Sequence, residues 1–539
     1  NEDKLRWNWN TPIATGKANP KNLYTGAQYL YRSQDQGRNW ERISPDLTTN
    51  DKKKQEQENS GGLSADNTSA ENHTTIFTIV ESPLDANLVM VGTDDGNLQI
   101  TRDGGKSWNN VAANIAETGI PAQTWVSSIE ASHFNKETIY ASFDNHMYGD
   151  HKTYAAKSTD GGKTWKAFAS KEFSGFAHKI IEDHKNPELL FLGTEMGLFA
   201  TLNGGKDWFR MKNNVPWYGL VRDMKIHPET NDLIIATHGR GILIVDDISP
   251  MRNLTANIAD KDFHLFETGD ITLSTGNFGD GGFPSTGGWV APNGPSLKPF
   301  QYYLKDRFNG GSIKIEIYDA AGKLVQSLPG TTRKGINRVT WAQRMMPPKT
   351  ATGSTKRDIG AVIAPQVLPG NYTLKMKVGK DEYTQQIRLV HTEKDGFSLE
   401  ERKAQFAAAM ELYNMHGKLA GLVNEIVEKQ KTYKDKVAKL KNKKAAALGK
   451  AYLDSLENHR GELIPIKQTS IFADESRLRE DITQVYAAIC NNEAAPSNLQ
   501  LASIKTLQAR LETAMNKFAQ INMQFEEKLK KALEKEKIN

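Results

Sequence analysis

The sequence predicts a multidomain protein: an all-β propeller, partial and with about five blades in this chain, then an Ig/fibronectin-like β-sandwich, then a C-terminal α-helical bundle. Three observations predict this order. An octapeptide that ends in Trp recurs four times in the first 210 residues, short alternating runs follow from residue 300, and Ala, Leu, Glu and Lys dominate from Ser398 onward. The predicted domains are 1–262, 300–392 and 397–539, and 263–299 is a linker rich in Gly, Pro and Ser.

Size and composition set the outer limits of the interpretation. A chain of 539 residues with 38% hydrophobic and 25% charged residues is long enough for several ordinary cores. The net charge of +5 is small for this length, so nucleic acid is not expected as a partner. A single cysteine, Cys490, excludes an intramolecular disulfide framework and Cys-based zinc sites. No apolar run has the length of a membrane span.

The recurring octapeptide is the strongest signal for the propeller. Its copies are SQDQGRNW, TRDGGKSW, STDGGKTW and TLNGGKDW, which begin at residues 33, 101, 158 and 201. The last two begin 43 residues apart, at 158 and 201, and a four-stranded blade needs roughly 40 to 50 residues. Around the copies lie short apolar or alternating runs that are typical of strands. A fifth unit, which ends near Pro250, has such runs without the octapeptide.

Each octapeptide has the composition of a tight turn. A hydroxyl residue, an Asp or Asn, a Gly and a Trp occupy fixed positions. These are Ser33, Asp35, Gly37 and Trp40; Thr101, Asp103, Gly105 and Trp108; Ser158, Asp160, Gly162 and Trp165; and Thr201, Asn203, Gly205 and Trp208. The carboxylate can accept bonds from nearby N–H groups while glycine takes a positive φ, and Asn203 can accept the same bonds. We therefore predict a structural role for these residues, not catalysis or calcium binding, with each Trp wedged between sheets.

The octapeptides resemble the Asp-box of BNR-repeat propellers, which occur in sialidases, xyloglucanases and sortilin-type proteins. Longer runs, RWNWNTPI, GTDDGNLQITRDGGKSW and THGRGILIVDDISP, resemble large secreted Bacteroidetes-type proteins described as sortilin-like glycosyl hydrolases. The resemblance implies that the boxes lie at the blade periphery and that the protein is exported to the periplasm, outer membrane or cell surface. It also implies further blades upstream, so that this chain is a C-terminal portion whose partner blades lie on a missing segment or a second chain. Sortilin's disulfide-bonded modules cannot form with Cys490 alone.

The remaining parts follow from periodicity. GGSIKIEIYDAAGKLVQSL and LPGNYTLKMKVGKDEYTQQIRLV have the two-residue period of strands, which predicts the sandwich. Ser398 and Glu401 form a capping-box pattern that begins the first helix. Further helices are predicted over about 434–459, 474–491 and 498–537, and apolar stripes on one face predict an up-and-down bundle.

One basic cluster lies in the helical part. Its members are Lys434, Lys436, Lys439, Lys441, Lys443, Lys444 and Lys450. A solvated helix face explains such a cluster, and binding to anionic glycan, lipid headgroups or an acidic partner is the alternative. No aromatic residue interleaves with the lysines over 439–450, which argues against a platform for single-stranded nucleic acid.

Candidate functional residues should lie at the ends of inner strands, where propellers meet their ligands. The catalytic candidates are Asp94, Asp95, Glu130, Asp144 and Asp223, and the binding candidates are His146, Glu195, His238 and Arg240. A glycosidase would need two of the carboxylates at a defined separation, one of them protonated. Asp144, His146, Asp150 and His151 have the side chains of metal ligands, but one loop cluster is weak evidence, so no metal and no cofactor are predicted.

The favoured interpretation is an exported propeller protein that binds a protein or a glycan as a non-catalytic scaffold at the bacterial cell envelope. A glycoside hydrolase acting on a polysaccharide is the main alternative, and a sortilin-like peptide-binding propeller is another. The sequence has Arg222 and Arg240 but no arginine triad, which argues against a sialidase. A Walker loop, a dinucleotide fingerprint, HExxH and GxSxG are also absent from the sequence.

Overall fold

A computed structural model describes residues 4–56, 72–212, 215, 219–273, 297–353, 362–392, 396–466 and 476–538. The chain divides into two compact units, Asn1–Asp260 and Lys261–Asn539. The first unit consists mainly of β-sheet. The second combines sheet with long helices.

The described part of the first unit contains four four-stranded sheets and one three-stranded sheet, each an antiparallel meander. Sheet 1 comprises β1 (Ile13–Thr15), β2 (Leu23–Gly26), β3 (Leu30–Ser33) and β4 (Glu41–Arg42); sheet 2 β5 (Ile76–Ser82), β6 (Asp85–Thr93), β7 (Leu98–Thr101) and β8 (Asn109–Asn110); sheet 3 β9 (Trp125–Ala131), β10 (Ile139–Asp144), β11 (Tyr154–Ser158) and β12 (Lys166–Ala167); sheet 4 β13 (Ala177–Glu182), β14 (Leu190–Thr194), β15 (Gly197–Thr201) and β16 (Phe209–Arg210); sheet 5 β17 (Val221–Ile226), β18 (Leu233–Thr237) and β19 (Ile242–Val245). The short helices are α1 (Ala112–Ala116), α2 (Ser249–Asn253) and α3 (Ala256–Ala259).

The five sheets pack face to face in chain order, as propeller blades do. The first strands of consecutive sheets contact each other: β1 with β5, β5 with β9, β9 with β13, and β13 with β17. A separate hydrophobic cluster fills each of the four spaces between consecutive sheets. Because the inner sheets are covered on both faces, strands such as β10, β14 and β15 are buried at every residue.

The four octapeptides connect the third strand of a sheet to its fourth, and all four form the same turn. The hydroxyl donates to the Asp or Asn two residues later at 2.8–2.9 Å, and it accepts the glycine N–H at 2.9–3.1 Å. The same side-chain oxygen also accepts the backbone N–H of the residue four positions after the Asp or Asn, at 2.9 Å in every copy. All four glycines have a positive φ, between 84° and 104°. These bonds lower the pKa of Asp35 and of Asp160 to about 2.

The second, third and fourth octapeptides fasten each sheet to the preceding one. A Cβ on Gly105 would lie 2.5 Å from the Ile43 carbonyl of sheet 1, and one on Gly205 would meet the Phe168 ring that follows sheet 3. Trp208 is only 6% exposed. Trp40 departs from the predicted wedge, because it is 41% exposed in sheet 1, which has no preceding sheet among the described residues.

Among its described residues, the second unit begins with two facing sheets, one of three strands and one of five. The first comprises β20 (Phe263–Leu265), β22 (Pro299–Leu304) and β25 (Gly335–Thr340), and the second comprises β21 (Ile271–Thr272), β27 (Asp381–Val390), β26 (Gly370–Val378), β23 (Ile313–Tyr318) and β24 (Leu324–Gly330). The predicted linker over 263–299 is therefore wrong at its start, because Phe263 and Ile271 are buried in the sandwich core. The part of that linker over 274–296 lies outside the described residues.

In the described part of the second unit, four long helices follow the sheets: α4 (Leu399–Ala438), α5 (Lys443–Leu463), α6 (Leu478–Cys490) and α7 (Asn498–Lys535). The predicted capping box at Ser398 is present, and Ser497 forms a second one. The predicted start of the second helix near residue 434 is wrong. Helix α4 continues to Ala438, and Asn442 accepts the N–H groups that begin α5.

The helices and the sandwich share contacts within the second unit. Phe406 and Met410 of α4 pack against the sandwich core, and Ala351 belongs to the core of the bundle. The Tyr486 hydroxyl donates to the Ile363 carbonyl at 2.7 Å. The sandwich and the bundle therefore support each other.

Candidate functional site

In the first unit, the turns at one end of the strands contain different residues from the turns at the other end. We call the end where second strands turn into third strands the upper edge. The opposite end of the strands, which carries the octapeptides, is the lower edge. Asp94 and Asp95 follow β6, Asp144 ends β10, and Glu195 follows β14, so these candidates all lie at the upper edge. The meander topology places the octapeptide turns at the opposite edge, because a third strand runs back from the turn that precedes it.

Asp94 and Asp95 are buried and occupied by protein donors. Asp94 is 3% exposed and accepts bonds from the Thr75 N–H at 2.8 Å and hydroxyl at 2.5 Å and from the Asn8 amide at 3.2 Å. Asp95 is 1% exposed and accepts bonds from the Thr49 N–H and hydroxyl and from the Thr93 hydroxyl. Both carboxylates thus tie sheet 2 to neighbouring loops.

Asp144, His146 and Glu195 belong to one cluster at the upper edge of sheets 3 to 5, together with residues that the prediction did not include. Asp144 Oδ1 lies 2.6 Å from His146 Nδ1, and the His146 ring stacks on Phe176 at a centroid distance of 4.5 Å. His178 Nε2 lies 3.1 Å from Glu195 Oε2. His178 and Glu195 both belong to sheet 4, and Phe176, whose ring also contacts the His178 ring at a centroid distance of 5.0 Å, joins them to Asp144 and His146 of sheet 3.

Arg222 extends this cluster into sheet 5, since its Nη1 lies 3.3 Å from His178 Nδ1. Burial lowers the pKa of His178, and the neighbouring Arg222 acts in the same direction against Glu195. A neutral His178 is therefore favoured. β13 and β17 each have an irregular register where these two side chains lie, between Ala177 and Lys179 and between Val221 and Asp223. Bulges of this kind re-aim a side chain, but they cannot be read from a single sequence.

Glu130 and Asp223 lie in a second cluster, farther along the first strands. Lys17 Nζ approaches Glu130 Oε1 at 3.3 Å, and His133 Nε2 approaches the same oxygen at 3.4 Å. Lys179 Nζ lies 3.1 Å from Asp223 Oδ1. Because β9, β13 and β17 contribute Glu130, Lys179 and Asp223, and Lys17 follows β1, the cluster lies where the first strands of the sheets meet.

The charges of this second cluster fix its protonation. Burial by itself would raise the pKa of Glu130, but Lys17, His133 and Lys179 together lower it to about 2. The neighbouring Lys179 and then burial lower the pKa of Lys225. Glu130 is therefore an anion at neutral pH and holds no proton to give to a leaving group.

His238 and Arg240 lie on the turn between β18 and β19, where both are exposed. The turn is closed by the Thr237 hydroxyl, which donates to the Gly241 carbonyl at 2.6 Å, and Gly239 and Gly241 both have positive φ. The candidates thus divide into two clusters, two enclosed aspartates and one exposed turn.

Two buried glutamates that the prediction did not include join neighbouring sheets at the lower edge. Glu81 accepts bonds from the Tyr24 hydroxyl at 2.8 Å and from two backbone N–H groups of sheet 1's first turn. Glu182 accepts bonds from the Tyr140 hydroxyl at 2.9 Å and from the His133 N–H at 2.7 Å. The signal in the sequence is a Glu that ends an apolar first strand, in IVES and IIED. Their role is to hold sheets together.

Large apolar side chains are exposed along the upper edge. Trp9, which precedes β1, is 68% exposed; Met147 and Tyr148, which follow β10, are 69% and 62% exposed; and Met196, which follows β14, is 39% exposed. Tyr148 also contacts Lys54, whose Nζ lies 3.1 Å from its hydroxyl. Exposed Met and aromatic side chains close to paired charges are typical of binding surfaces.

In the described part of the chain, no three or more His, Cys, Asp or Glu side chains are grouped so that they could hold a metal ion. Asp150, from the loop weighed above, instead accepts bonds from Tyr154 and Asn145. None of the described helices combines the length and apolar character needed to cross a membrane.

Comparison with known proteins gives structural similarity without a family. No family model matches the chain, and no curated protein matches it. Among solved structures, an ancestral GH74 enzyme matches at 14% identity with a TM-score of 0.31 and covers 71% of this chain. The extracellular domain of a hybrid two-component system from B. thetaiotaomicron matches at 12% identity with a TM-score of 0.31 and covers 70%. A GH74 enzyme from Niastella koreensis matches at 9% identity with a TM-score of 0.32 and covers 71%.

This chain spans about half the length of those solved structures: 45% of the ancestral enzyme, 44% of the extracellular domain and 54% of the Niastella koreensis enzyme. Similarity at this level assigns neither an activity nor a ligand to the chain.

Proposed function

We propose that the chain is an exported, non-catalytic binding protein whose upper edge receives a protein partner at the cell envelope. The single observation that carries the proposal is the contrast along this edge. The candidate carboxylates are bonded to other residues of the chain, whereas Trp9, Met147, Tyr148 and Met196 are exposed. Export rests on the resemblance to secreted proteins.

The state of the carboxylates supports a non-catalytic role. A glycosidase needs one protonated and one ionised carboxyl group, with both facing the substrate. Asp94 and Asp95 are enclosed, and Lys17 and His133 hold Glu130 as an anion. Asp144 is bound to His146. Glu130, as an anion, therefore holds no proton for the leaving group.

The exposed residues support a protein partner. Met and aromatic residues are enriched at the centres of protein interfaces, where they fill pockets of the partner. Met147 and Tyr148 lie next to the Asp144–His146 pair, and Met196 lies next to Glu195, so apolar anchors alternate with polar groups. Protein interfaces likewise combine apolar anchors with polar groups.

The test is a pair of matched double variants of this chain, used as bait for chemical cross-linking and affinity purification from the envelope of the producing cells. Met147→Ser with Tyr148→Ser removes upper-edge anchors. Leu84→Ser with Phe134→Ser removes lower-edge side chains that are 40% and 44% exposed. We expect a stoichiometric partner with the wild type and the lower-edge variant, cross-linked to the upper edge, and at least tenfold less of it with the upper-edge variant.

Three outcomes would contradict this proposal. Equal recovery with both variants would place the binding surface elsewhere. Binding to a glycan array, or to short peptides alone, that is lost in the upper-edge variant would assign that edge to glycan or to sortilin-like peptide binding. Sugar release from a polysaccharide panel that is abolished by Asp144→Asn would support the glycoside hydrolase instead.

We also propose that a further antiparallel sheet, on another segment or another chain, covers the free faces of sheets 1 and 5. Sheets 1 and 5 stand at the two ends of the row of five sheets, so each has one face packed against a neighbour and one free face. Ile13 of β1 is 76% exposed, and Ile242 and Ile244 of β19 are 71% and 56% exposed. Trp40, the counterpart of the buried Trp208, is also exposed. An additional sheet with an apolar face would bury these side chains as the existing sheets bury theirs.

A further inference from the structure

The end of the helical bundle where α4 and α7 finish and α5 begins is strongly basic. We call residues 431–450 and 526–538 the bundle tip. Glu536 joins the two segments, since its carboxylate accepts the N–H groups of Lys441 at 2.8 Å and Asn442 at 3.0 Å. Glu526 joins them one level below, through the Tyr433 hydroxyl at 3.0 Å. The fold thus adds a second run of lysines to the cluster visible in the sequence.

The charge of the bundle tip exceeds that of the whole chain. The two segments contain thirteen lysines and five acidic residues, a formal charge of +8 against +5 for all 539 residues. The rest of the chain is therefore net acidic. Twelve of the thirteen lysines, all except Lys436, are exposed. So large an excess in one place is more than the general solubility of the chain requires.

Helix ends explain only part of this charge. Lysines in the last turn of a helix interact favourably with the helix dipole, which accounts for Lys436 and Lys535. Lys441, Lys443 and Lys444 lie instead at the start of α5, where the dipole disfavours positive charge. Helix stability therefore does not account for these three lysines, and an anionic partner would offset their cost.

We propose that the bundle tip binds the surface of an anionic phospholipid membrane. The lysines are spread over the ends of three helices, so they form a broad cap. Neither segment contains Arg or Trp, and the one aromatic residue of the two segments, Tyr433, is buried. The ammonium group of lysine is a compact charge. It lacks the planar group with which Arg forms paired hydrogen bonds to a single phosphate or base. Such a cap fits the diffuse negative potential of a membrane, where each lysine contributes about 1 kcal/mol.

The test measures sedimentation of the full chain with vesicles of phosphatidylcholine, with and without phosphatidylglycerol. The variant combines Lys441→Gln, Lys443→Gln and Lys444→Gln. It keeps the bonds to Glu536, because those come from backbone N–H groups. The control combines Lys323→Gln, Lys349→Gln and Lys380→Gln, three exposed lysines of the sandwich region. Thermal unfolding and circular dichroism establish that both variants are folded.

We expect binding only to vesicles that contain phosphatidylglycerol, and weaker binding as salt rises. The variant should bind about 100-fold more weakly, since about 1 kcal/mol per lysine corresponds to roughly fivefold each. The control should bind like the wild type. Equal binding to neutral vesicles, or an unaffected variant, would overturn the proposal. So would tighter binding to duplex DNA than to vesicles at equal phosphate, which would assign the lysines to nucleic acid.

Discussion

At the scale of single residues, several buried carboxylates bond parts of neighbouring sheets and loops to one another. Asp183 is the extreme case: its side chain is fully buried and bound by the Arg252 guanidinium at 2.6 and 2.7 Å. Glu81, Glu182 and Asp94 are likewise enclosed by donors from neighbouring sheets or loops. Because a buried charge is stable only with its partners in place, each of these residues fixes a local geometry.

Glu130 gives a pH-dependent prediction at this scale. Its folded-state pKa of about 2 lies below the ordinary value of 4.5, so the unfolded chain takes up the proton first as pH falls. The free energy of unfolding of the wild type should therefore decrease from about pH 4.5 down to about pH 2. Glu130→Gln cannot titrate, and its curve should be flatter over the same window.

The measurement for Glu130 is urea unfolding at several pH values, with the slope against urea checked for constancy. Glu137→Gln removes an exposed carboxylate that pairs with Arg102 and serves as the control. Parallel curves for the wild type and Glu130→Gln below pH 4.5 would show that Lys17 and His133 do not hold the proton off Glu130.

At the scale of elements, the octapeptide is a turn that also fastens two sheets. Its internal hydrogen bonds are the same in all four copies, and Asn203 accepts the bonds that Asp accepts elsewhere. What differs is the surroundings. Trp208 packs edge-on against Phe168 at 5.3 Å, whereas Trp40 has no preceding sheet to contact among the described residues.

This difference predicts unequal costs for one substitution. Trp208→Ala should lower the free energy of unfolding by about 3–5 kcal/mol, because it leaves a cavity beside Phe168 and Phe173. Trp40→Ala should cost less than half as much, since that side chain is already 41% exposed. Chemical unfolding of both variants, followed by circular dichroism, compares them. A cost for Trp40→Ala equal to that for Trp208→Ala would mean that sheet 1 is covered in solution.

At the scale of the whole molecule, the free apolar faces of sheets 1 and 5 are the surfaces through which the first unit would associate with a further sheet. Sheet 5 is apolar on both faces: Ile235 is fully buried against sheet 4, whereas Ile242 and Ile244 point away from it. An apolar sheet face that lacks a neighbour promotes association.

The corresponding prediction uses one charge placed on either face of sheet 5. Ile242→Lys should leave the unfolding temperature nearly unchanged and reduce self-association in analytical ultracentrifugation, because it charges the free face. Ile235→Lys should unfold the sheet, since Ile235 is 0% exposed. If Ile242→Lys also unfolds the protein while it is monomeric, the face is covered within the chain and needs no additional sheet.

The sequence by itself determined what depends on neighbours along the chain. The octapeptide turns, the antiparallel meanders and the capping box at Ser398 follow from residues within a few positions of each other. The ends of helices are set less by local sequence. The predicted start of α5 is wrong because lysine- and alanine-rich sequence favours a helix on both sides of the α4–α5 junction. The strands β20 and β21 were missed because each is at most three residues long.

The tertiary structure alone decided which distant residues meet. His178 and Arg222 come together only because two bulged strands lie side by side, and Lys17 reaches Glu130 across 113 residues of chain. The lysines of α7 join those of α5 for the same reason. Such contacts depend on strand register, sheet packing and helix orientation, which are set by burial of apolar surface over the whole unit, whereas a local pattern records only the preferences of adjacent residues.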